Sequence, residues 1–507
     1  MSNVKVAGMT SALAVVACLT GIAEANAQAI YSGGASLPSK VYRQLADCWG
    51  VPANTTASAV PAGCASPSGD VSGKAAMILY QSVGSGNGKR AFRNNDGSNS
   101  TSTGLGNTPS SFPPYTSALL PATQYPYPHF HFAGSDDVLT ATDVSGYNAA
   151  GLPAKAGNII QIPAMVTSVA VVVNGKDGNG ANLNITNSVP AGGSSGLNLS
   201  RQAVCGIFSG HITKWDNPIL TALNGGTPLG TGQITVVHRS DGSGTTFLFT
   251  NALVAQCASE FGRNSETDAT NVSYAFPFSD KAPSAPCPAV VIRGANAINW
   301  PDTLTNQCGA AIVTPPGSAW ANGSGSSGVQ TKVLQTNGAI GYLSPDFAKP
   351  VDTAGPIAAN VPSQYDIDNA TGLFQPPTAA GATAAMSAAA PPADVTKPLY
   401  WSNAGVVPNP YTQNSYPFSG FTWLDLYQCY ADTANADIAL SQSGVFDSIL
   451  SYLTFHYSDP SSTAILNANG FSQVPSNWID AIVKVVTTGT TAMNKAGTGA
   501  CVGKPGV

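Results

Sequence analysis

The stretch that most limits the possible folds runs from Ile234 to Cys257. Ile234 to His238 reads as a short apolar strand, Thr245 to Cys257 reads as a helix, and only small or polar residues (Arg239-Ser240-Asp241-Gly242-Ser243-Gly244) join them. A strand that turns straight into a helix is the working joint of α/β architecture. The joint recurs. Ile30 to Pro38 is apolar and Gly-rich, and Ser39 to Trp49 then carries helical spacing at Val41, Tyr42, Leu45, Cys48 and Trp49. Ala75 to Tyr80 reads as a strand and leads into Val83-Gly84-Ser85-Gly86-Asn87-Gly88. Ile159 to Ile162, Val166 to Val173 and Ala339 to Leu343 are further strand-like runs. Pro376 to Pro392 is Ala-rich, a short helix or a linker, and Phe446, Ile449, Leu450 and Leu453 mark a helix near the C-terminus. The expected fold class is therefore α/β.

At 507 residues the chain suits two lobes rather than one small core. Only 9% of its residues are charged, against the ~25% usual for soluble domains. The net charge of −5 offers no basic field for nucleic acid or anionic lipid, so a bound anion must be held by a local site. Residues 1–29 read as a signal peptide, with Lys5, an apolar run from Ala12 to Ile22, and two A-x-A sites within Ala25-Asn26-Ala27-Gln28-Ala29. A lipid-attachment signal ending at Cys18 is the alternative. No other stretch approaches the ~20 apolar residues of a membrane span. The expected protein is periplasmic or secreted. Eight cysteines follow the leader, and an even number in an exported chain favours disulfides. Their spacing leaves the connectivity open; neighbour pairing along the chain is the simplest expectation. No C-x-x-C occurs and the histidines do not cluster with the cysteines, which argues against a zinc site.

The joint at Arg239–Thr245 has the chemistry of an oxyanion site. A helix N-terminus presents free N–H groups and a partial positive charge. Gly242 and Gly244 admit close backbone approach, Ser243 and Thr245 add hydroxyls, and Arg239 offers a planar fork that Asp241 can orient. Taken alone, such a turn is equally an ordinary helix cap. Gly33-Gly34-Ala35-Ser36-Leu37-Pro38 and the turn holding Ser85 repeat the chemistry, and together the three turns can surround one small anion. Phe132-Ala133-Gly134-Ser135-Asp136-Asp137 brings carboxylates. Asp136 is either a helix N-cap or an acceptor for a protonated anion. A carboxylate only accepts hydrogen bonds, so it suits hydrogen phosphate and repels sulfate.

In this order the segments resemble the phosphate-binding components of bacterial phosphate ABC transporters, and more closely the DING proteins within that superfamily. Gly34-Ala35-Ser36-Leu37-Pro38, Val83 to Asp96, Ala133 to Asp136, Ile162-Pro163 with Thr167 to Ala170, Cys205 to Gly210, Ile212 to Asp216, Arg239 to Phe247, Gly341 to Ala348 and Gln428 to Asp432 all resemble motifs of that group. The chain departs from it at Ile30-Tyr31-Ser32-Gly33, in the long Asp96–Pro128 stretch, in the loop around Cys48 and Cys64, and in Cys287 and Cys308.

The resemblance implies a type II periplasmic-binding-protein fold with a ligand cleft between lobes. Lobe one is expected at 30–163 plus 341–507 and lobe two at 164–340. Phosphate is then held by Ser36, Leu37, Ser85, Asp136, Arg239, Ser243, Gly244 and Thr245, with Asp241 orienting Arg239. No cofactor, metal or catalytic residue is expected. The partners implied are inorganic phosphate and an ABC transporter permease, with a secreted phosphate scavenger as the other role and a monomer as the assembly. The disulfides expected are Cys48–Cys64, Cys205–Cys257, Cys287–Cys308 and Cys429–Cys501, the second and fourth in DING-like segments. The rival reading is a DING-type phosphatase or phosphoesterase. No G-x-S-x-G, H-E-x-x-H or dense Asp/His set accompanies it, and His129 and His131 read as packing.

Overall fold

Two large sheets and one two-stranded pair share the described residues, and the strands of the large sheets alternate with helices as the joints require. The computed structural model describes residues 29–50, 64, 76–101, 126–186, 196–257, 298–300, 319–431 and 444–507. Apart from Ala29, the expected leader lies outside them, as do Cys287 and Cys308. In chain order the strands are β1 (Ala29–Gly34), β2 (Met77–Ser82), β3 (Phe132–Ser135), β4 (Ile159–Ser168), β5 (Ala170–Val173), β6 (Leu197–Asn198), β7 (Thr235–Arg239), β8 (Ala319–Gly323), β9 (Ala339–Leu343), β10 (Ile357–Asn360), β11 (Ser419–Tyr427), β12 (Cys429–Tyr430) and β13 (Asn494–Lys495).

The first sheet has the order β2-β1-β3-β11-β4. β1 runs parallel to both β2 and β3, while β11 is antiparallel to β3 and β4. β2 and β4 are buried along their whole length, as strands covered on both faces must be. The helix Ser39–Trp49 packs on β2, and Ser85–Asn94 covers β1 and β3. Ala379–Met386, the helical outcome for the Ala-rich segment, lies on β4 and β11. Phe421 and Trp401 both pack against Trp478 in the core beneath them.

The second sheet has the order β6-β10-β5-β9-β7-β8. β7 is parallel to β8 and β9, and β5 is antiparallel to β9 and β10. The helix Gly325–Gln335 packs across β7, β8 and β9. Phe249, on the helix Gly244–Gln256, stacks on Tyr342 of β9 and meets Phe418 edge-on.

The lobe boundaries differ from those expected. β4 stays in the first sheet through Ser168, and Val169 alone separates it from β5 in the second, so the crossing falls about five residues later than 163/164. The return also comes later than 340/341, because β9 and β10 both pair in the second sheet. The chain rejoins the first lobe between Asn360 and Ala379. The reason is pairing: β9 is gripped between β5 and β7, so the strand that was expected to open lobe one sits inside lobe two.

Three disulfides lie among the described residues. Cys48–Cys64 anchors the end of the helix Ser39–Trp49, and Cys205–Cys257 joins the helix Arg201–Phe208 to the end of Gly244–Gln256. Cys429–Cys501 secures the two-residue pairing of β12 with β13. So short a ladder needs such a staple.

Candidate functional site

The parallel strands β1, β2 and β3 end at one edge of the first sheet, and β7 and β8 end at one edge of the second. Each of β1, β2, β7 and β8 turns there into a helix, the place where α/β sheets offer a crevice for ligand. β1 delivers Ser36 and Leu37, β2 delivers Ser85, β3 delivers Asp136, and β7 delivers Arg239 with the turn to Thr245. The side chain of Leu37 is in the core, which leaves its backbone as the group it can offer the crevice.

The two edges meet through hydrogen bonds. Ser85 Oγ accepts from Asp136 N at 3.1 Å within its own lobe and from Gly244 N at 3.1 Å across the cleft. With both lone-pair directions used, the hydroxyl proton of Ser85 is free to donate. Gly86 N donates to Gly242 O at 3.1 Å, and Ser326 N to Ser36 Oγ at 3.2 Å, so backbone N–H groups bridge the lobes from both sides. The fit depends on two glycines. Gly84 takes φ +84°, and a Cβ there would lie 2.6 Å from Asp241 Oδ2. A Cβ on Gly244 would lie 2.5 Å from both Asp137 N and Ser85 Oγ. Backbone can therefore meet backbone, and the N–H of Gly244 is engaged by Ser85 in this structure.

Arg239 and Asp241 form the charged centre. Arg239 Nε donates to Asp241 Oδ1 at 2.6 Å and Nη2 donates to Oδ2, a bidentate pair that is almost wholly buried. Asp241 Oδ1 also accepts from Gly325 N at 3.0 Å, which fixes the carboxylate. Arg239 Nη1 donates to Thr245 Oγ1 at 3.0 Å, and Thr245 Oγ1 donates in turn to Asp136 Oδ2 at 3.3 Å. Burial disfavours the guanidinium's charge, but Asp241 beside it holds its pKa above the ordinary value. Ser243 accepts from Thr246 N at 3.1 Å as the cap of its helix, which leaves its hydroxyl proton unspent.

Asp136 is not a helix cap. The next helix, Ala141–Ala149, is capped by Thr140 in a capping box with Asp143. Asp136 Oδ1 is buried without a partner. Burial pushes the carboxyl up to about 8 against the pull of Arg239, with Asp137 adding to the rise. The two adjacent carboxylates part company here. Asp137 pairs with Lys89, which also reaches Asp143 at 3.2 Å, and only Asp136 faces the cleft. His131 packs elsewhere: its Nδ1 accepts from Tyr31 N at 3.0 Å, and its ring stacks on Tyr31.

The sequence reading overlooked Gly325 and Ser326, which open the helix Gly325–Gln335 after β8. Gly323-Ser324-Gly325-Ser326-Ser327-Gly328 is a fourth strand-to-helix turn of the same chemistry. The preceding strand, Ala319–Gly323, is only partly buried and mixed in composition, so the joint did not announce itself. Tyr342 was missed as well; its hydroxyl accepts from Arg239 N at 3.2 Å and bonds Thr246 Oγ1 at 2.7 Å. Among the described residues, no group of three or more His, Cys, Asp or Glu side chains is arranged to hold a metal ion.

Two α/β lobes that meet over a buried Arg–Asp pair, ringed by hydroxyls and helix N-termini, define a two-lobed binding protein. The chain belongs to the PBP superfamily, whose domain matches residues 23–458. It is 28% identical to alkaline phosphatase L of Pseudomonas aeruginosa over 484 residues, 95% of this chain and 94% of that protein. It is 29% identical to a phosphate-binding protein of an unknown prokaryotic organism over 490 residues, 94% of this chain and 99% of the relative. Among solved structures, a high affinity periplasmic phosphate-binding protein (PfluDING) with bound phosphate aligns at a TM-score of 0.58 and 29% identity, covering 94% of this chain and 98% of that one. The fold is that of the type II periplasmic binding proteins, and the chain is of the DING and PstS-like kind.

Proposed function

We propose that this protein is an extracytoplasmic phosphate receptor that closes its lobes on one ion, held by Ser36, the Leu37 N–H, Ser85, Asp136, Arg239, Ser243, Gly244 and Thr245. The observation that carries this is the unpartnered, buried Oδ1 of Asp136 beside a run of donors. A dehydrated oxyanion needs a partner for every oxygen, and a fixed cage of hydroxyls, N–H groups and one guanidinium supplies them. When Asp136 is ionised, that oxygen is a lone acceptor among those donors and suits an anion that carries a proton. Asp241 already neutralises Arg239, so the cleft binds through oriented dipoles more than net charge. Gly244 acts by passing its N–H from Ser85 to the ligand, or by orienting the Ser85 hydroxyl. Relatives named phosphate-binding protein and PstS support an export destination and a role as the receptor of an ABC transporter or as a phosphate scavenger. No helix among the described residues is long and apolar enough to cross a membrane.

A second reading has one observation in its favour, the relative named alkaline phosphatase L. Calorimetry of the phosphate-stripped protein, run beside a phosphomonoester turnover assay, separates the two. One phosphate per chain with no turnover is the expected result. Catalytic release of phosphate from the ester would assign the cleft to a hydrolase, and absence of any phosphate binding would sink the receptor reading.

A further inference from the structure

The fourth strand-to-helix turn takes part in the cleft although the ligand set proposed above does not contain it. β8 ends at Gly323, and Ser324 alone separates it from the helix Gly325–Gln335. Ser324 is the N-cap by position, yet its side chain caps nothing. The first N–H groups of the helix point instead at the ligand-site residues: Gly325 N donates to Asp241 Oδ1 at 3.0 Å, and Ser326 N to Ser36 Oγ at 3.2 Å. The second of these bonds spans the lobes. The hydroxyl of Ser326 is fully buried in the same place and has no hydrogen-bond partner. A buried hydroxyl without a partner costs stability, so a fold that keeps one at a helix N-terminus has put a donor where something else will use it.

The bond to Ser36 has a second effect. Ser36 Oγ accepts from Ser326 N, which turns the Ser36 proton away from that N–H and leaves it to donate. Ser326 thus orients one expected ligand hydroxyl with its backbone while its own hydroxyl stands idle beside it. The cleft then holds two orphaned atoms of opposite character, the Ser326 hydroxyl and Asp136 Oδ1. An anion that both accepts and donates hydrogen bonds satisfies the pair.

The geometry points to Ser326 as a further ligand of the bound oxyanion, its hydroxyl donating from the N-terminus of the helix Gly325–Gln335. The inference rests on the phosphate-receptor reading. Its test is Ser326→Ala, measured against inorganic phosphate by calorimetry and by thermal melting without ligand. The substitution keeps the N–H that holds Ser36 and removes only the hydroxyl. Phosphate affinity is expected to fall about tenfold, the loss of one hydrogen bond to a charged group. The ligand-free melting temperature is expected to stay level or rise, because an unpartnered buried hydroxyl has gone. Unchanged affinity would overturn the assignment. A lower ligand-free melting temperature would overturn it too, by showing that the hydroxyl serves the fold. If the wild-type protein binds no phosphate, the receptor reading falls first and this inference falls with it.

Discussion

Asp136 concentrates the cost of the site in one side chain, and on the proposed reading it carries the selectivity as well. Its carboxyl is buried, one oxygen is unpartnered, and burial lifts its pKa from the ordinary 3.8 to about 8. Between those values the unfolded chain releases a proton that the folded protein keeps, so stability falls as pH rises through that window. Asp136→Asn should flatten this slope, and melting temperatures taken from pH 4 to pH 9 measure it. A slope equal to wild type would show that other groups cause it. The same carboxyl should govern the choice between phosphate and sulfate. Above pH ~8 it is ionised and meets bare sulfate oxygen with a repelling charge. Below that pH it carries a proton of its own and tolerates sulfate better. Wild-type discrimination should therefore sharpen with rising pH, while Asp136→Asn should discriminate less and keep only the trend that phosphate's own ionisation brings. Competition calorimetry at pH 6 and pH 9 reads both effects, and equal sulfate exclusion in the variant would move proton reading elsewhere. The residue was legible in the sequence as a carboxylate after a Gly-Ser turn. The residues alone left two readings open, a helix cap and an acceptor for a protonated anion, and Thr140, which caps the following helix, removes the first.

The strand-to-helix joints were the readable elements, since short apolar runs, small-residue turns and helical spacing are local signals. The helix Ser39–Trp49 and the strand β9 have the limits expected, and the helix after Arg239 begins one residue early, at Gly244. The joint at Gly325 was harder to see because, among the described residues, β8 is an edge strand paired with β7, and its Ala-Trp-Ala-Asn-Gly sequence lacks a continuous apolar run. What no local signal contains is how closely two joints approach. Gly244 reads as a flexible turn residue, yet its lack of a Cβ is a condition of closure, with Ser85 Oγ and the backbone of Asp136 and Asp137 inside 3 Å of where that Cβ would stand. Gly244→Ala should leave both lobes folded and hold the joints apart. Phosphate affinity should fall by roughly 2 kcal/mol or more, the scale of losing a buried charge-assisted contact. Calorimetry with circular dichroism checks this, and an alanine variant with wild-type affinity would mean that the cleft closes on its ligand by another route.

At the scale of the molecule, the two-lobed α/β form was legible and the borders of the lobes were not. The chain passes from β4 to β5 through Val169 alone, and β9 and β10 pair in the sheet opposite to the one expected. Apolar strands announce their burial but not their neighbours, so sheet membership stays hidden until the pairing is known. That membership decides how the charged centre can be tested. Arg239 belongs to the second lobe and its partners in the proposed cage, Ser85 and Asp136, to the first. A ligand touching all three joins the lobes, and by mass action it stabilises the whole chain by about 2.7 kcal/mol at a hundredfold excess over Kd. Arg239→Ala is a poor probe of this, since it strands Asp241 in the interior and breaking a buried pair costs roughly 3–5 kcal/mol of stability on its own. Arg239→Met combined with Asp241→Asn removes both charges, and the asparagine can still accept from Gly325 N. The double variant should melt within a few degrees of wild type without ligand and gain nothing from phosphate at concentrations that raise the wild-type melting temperature clearly. If phosphate still protects it as well as it protects wild type, the guanidinium is a structural strut and the ion is held elsewhere.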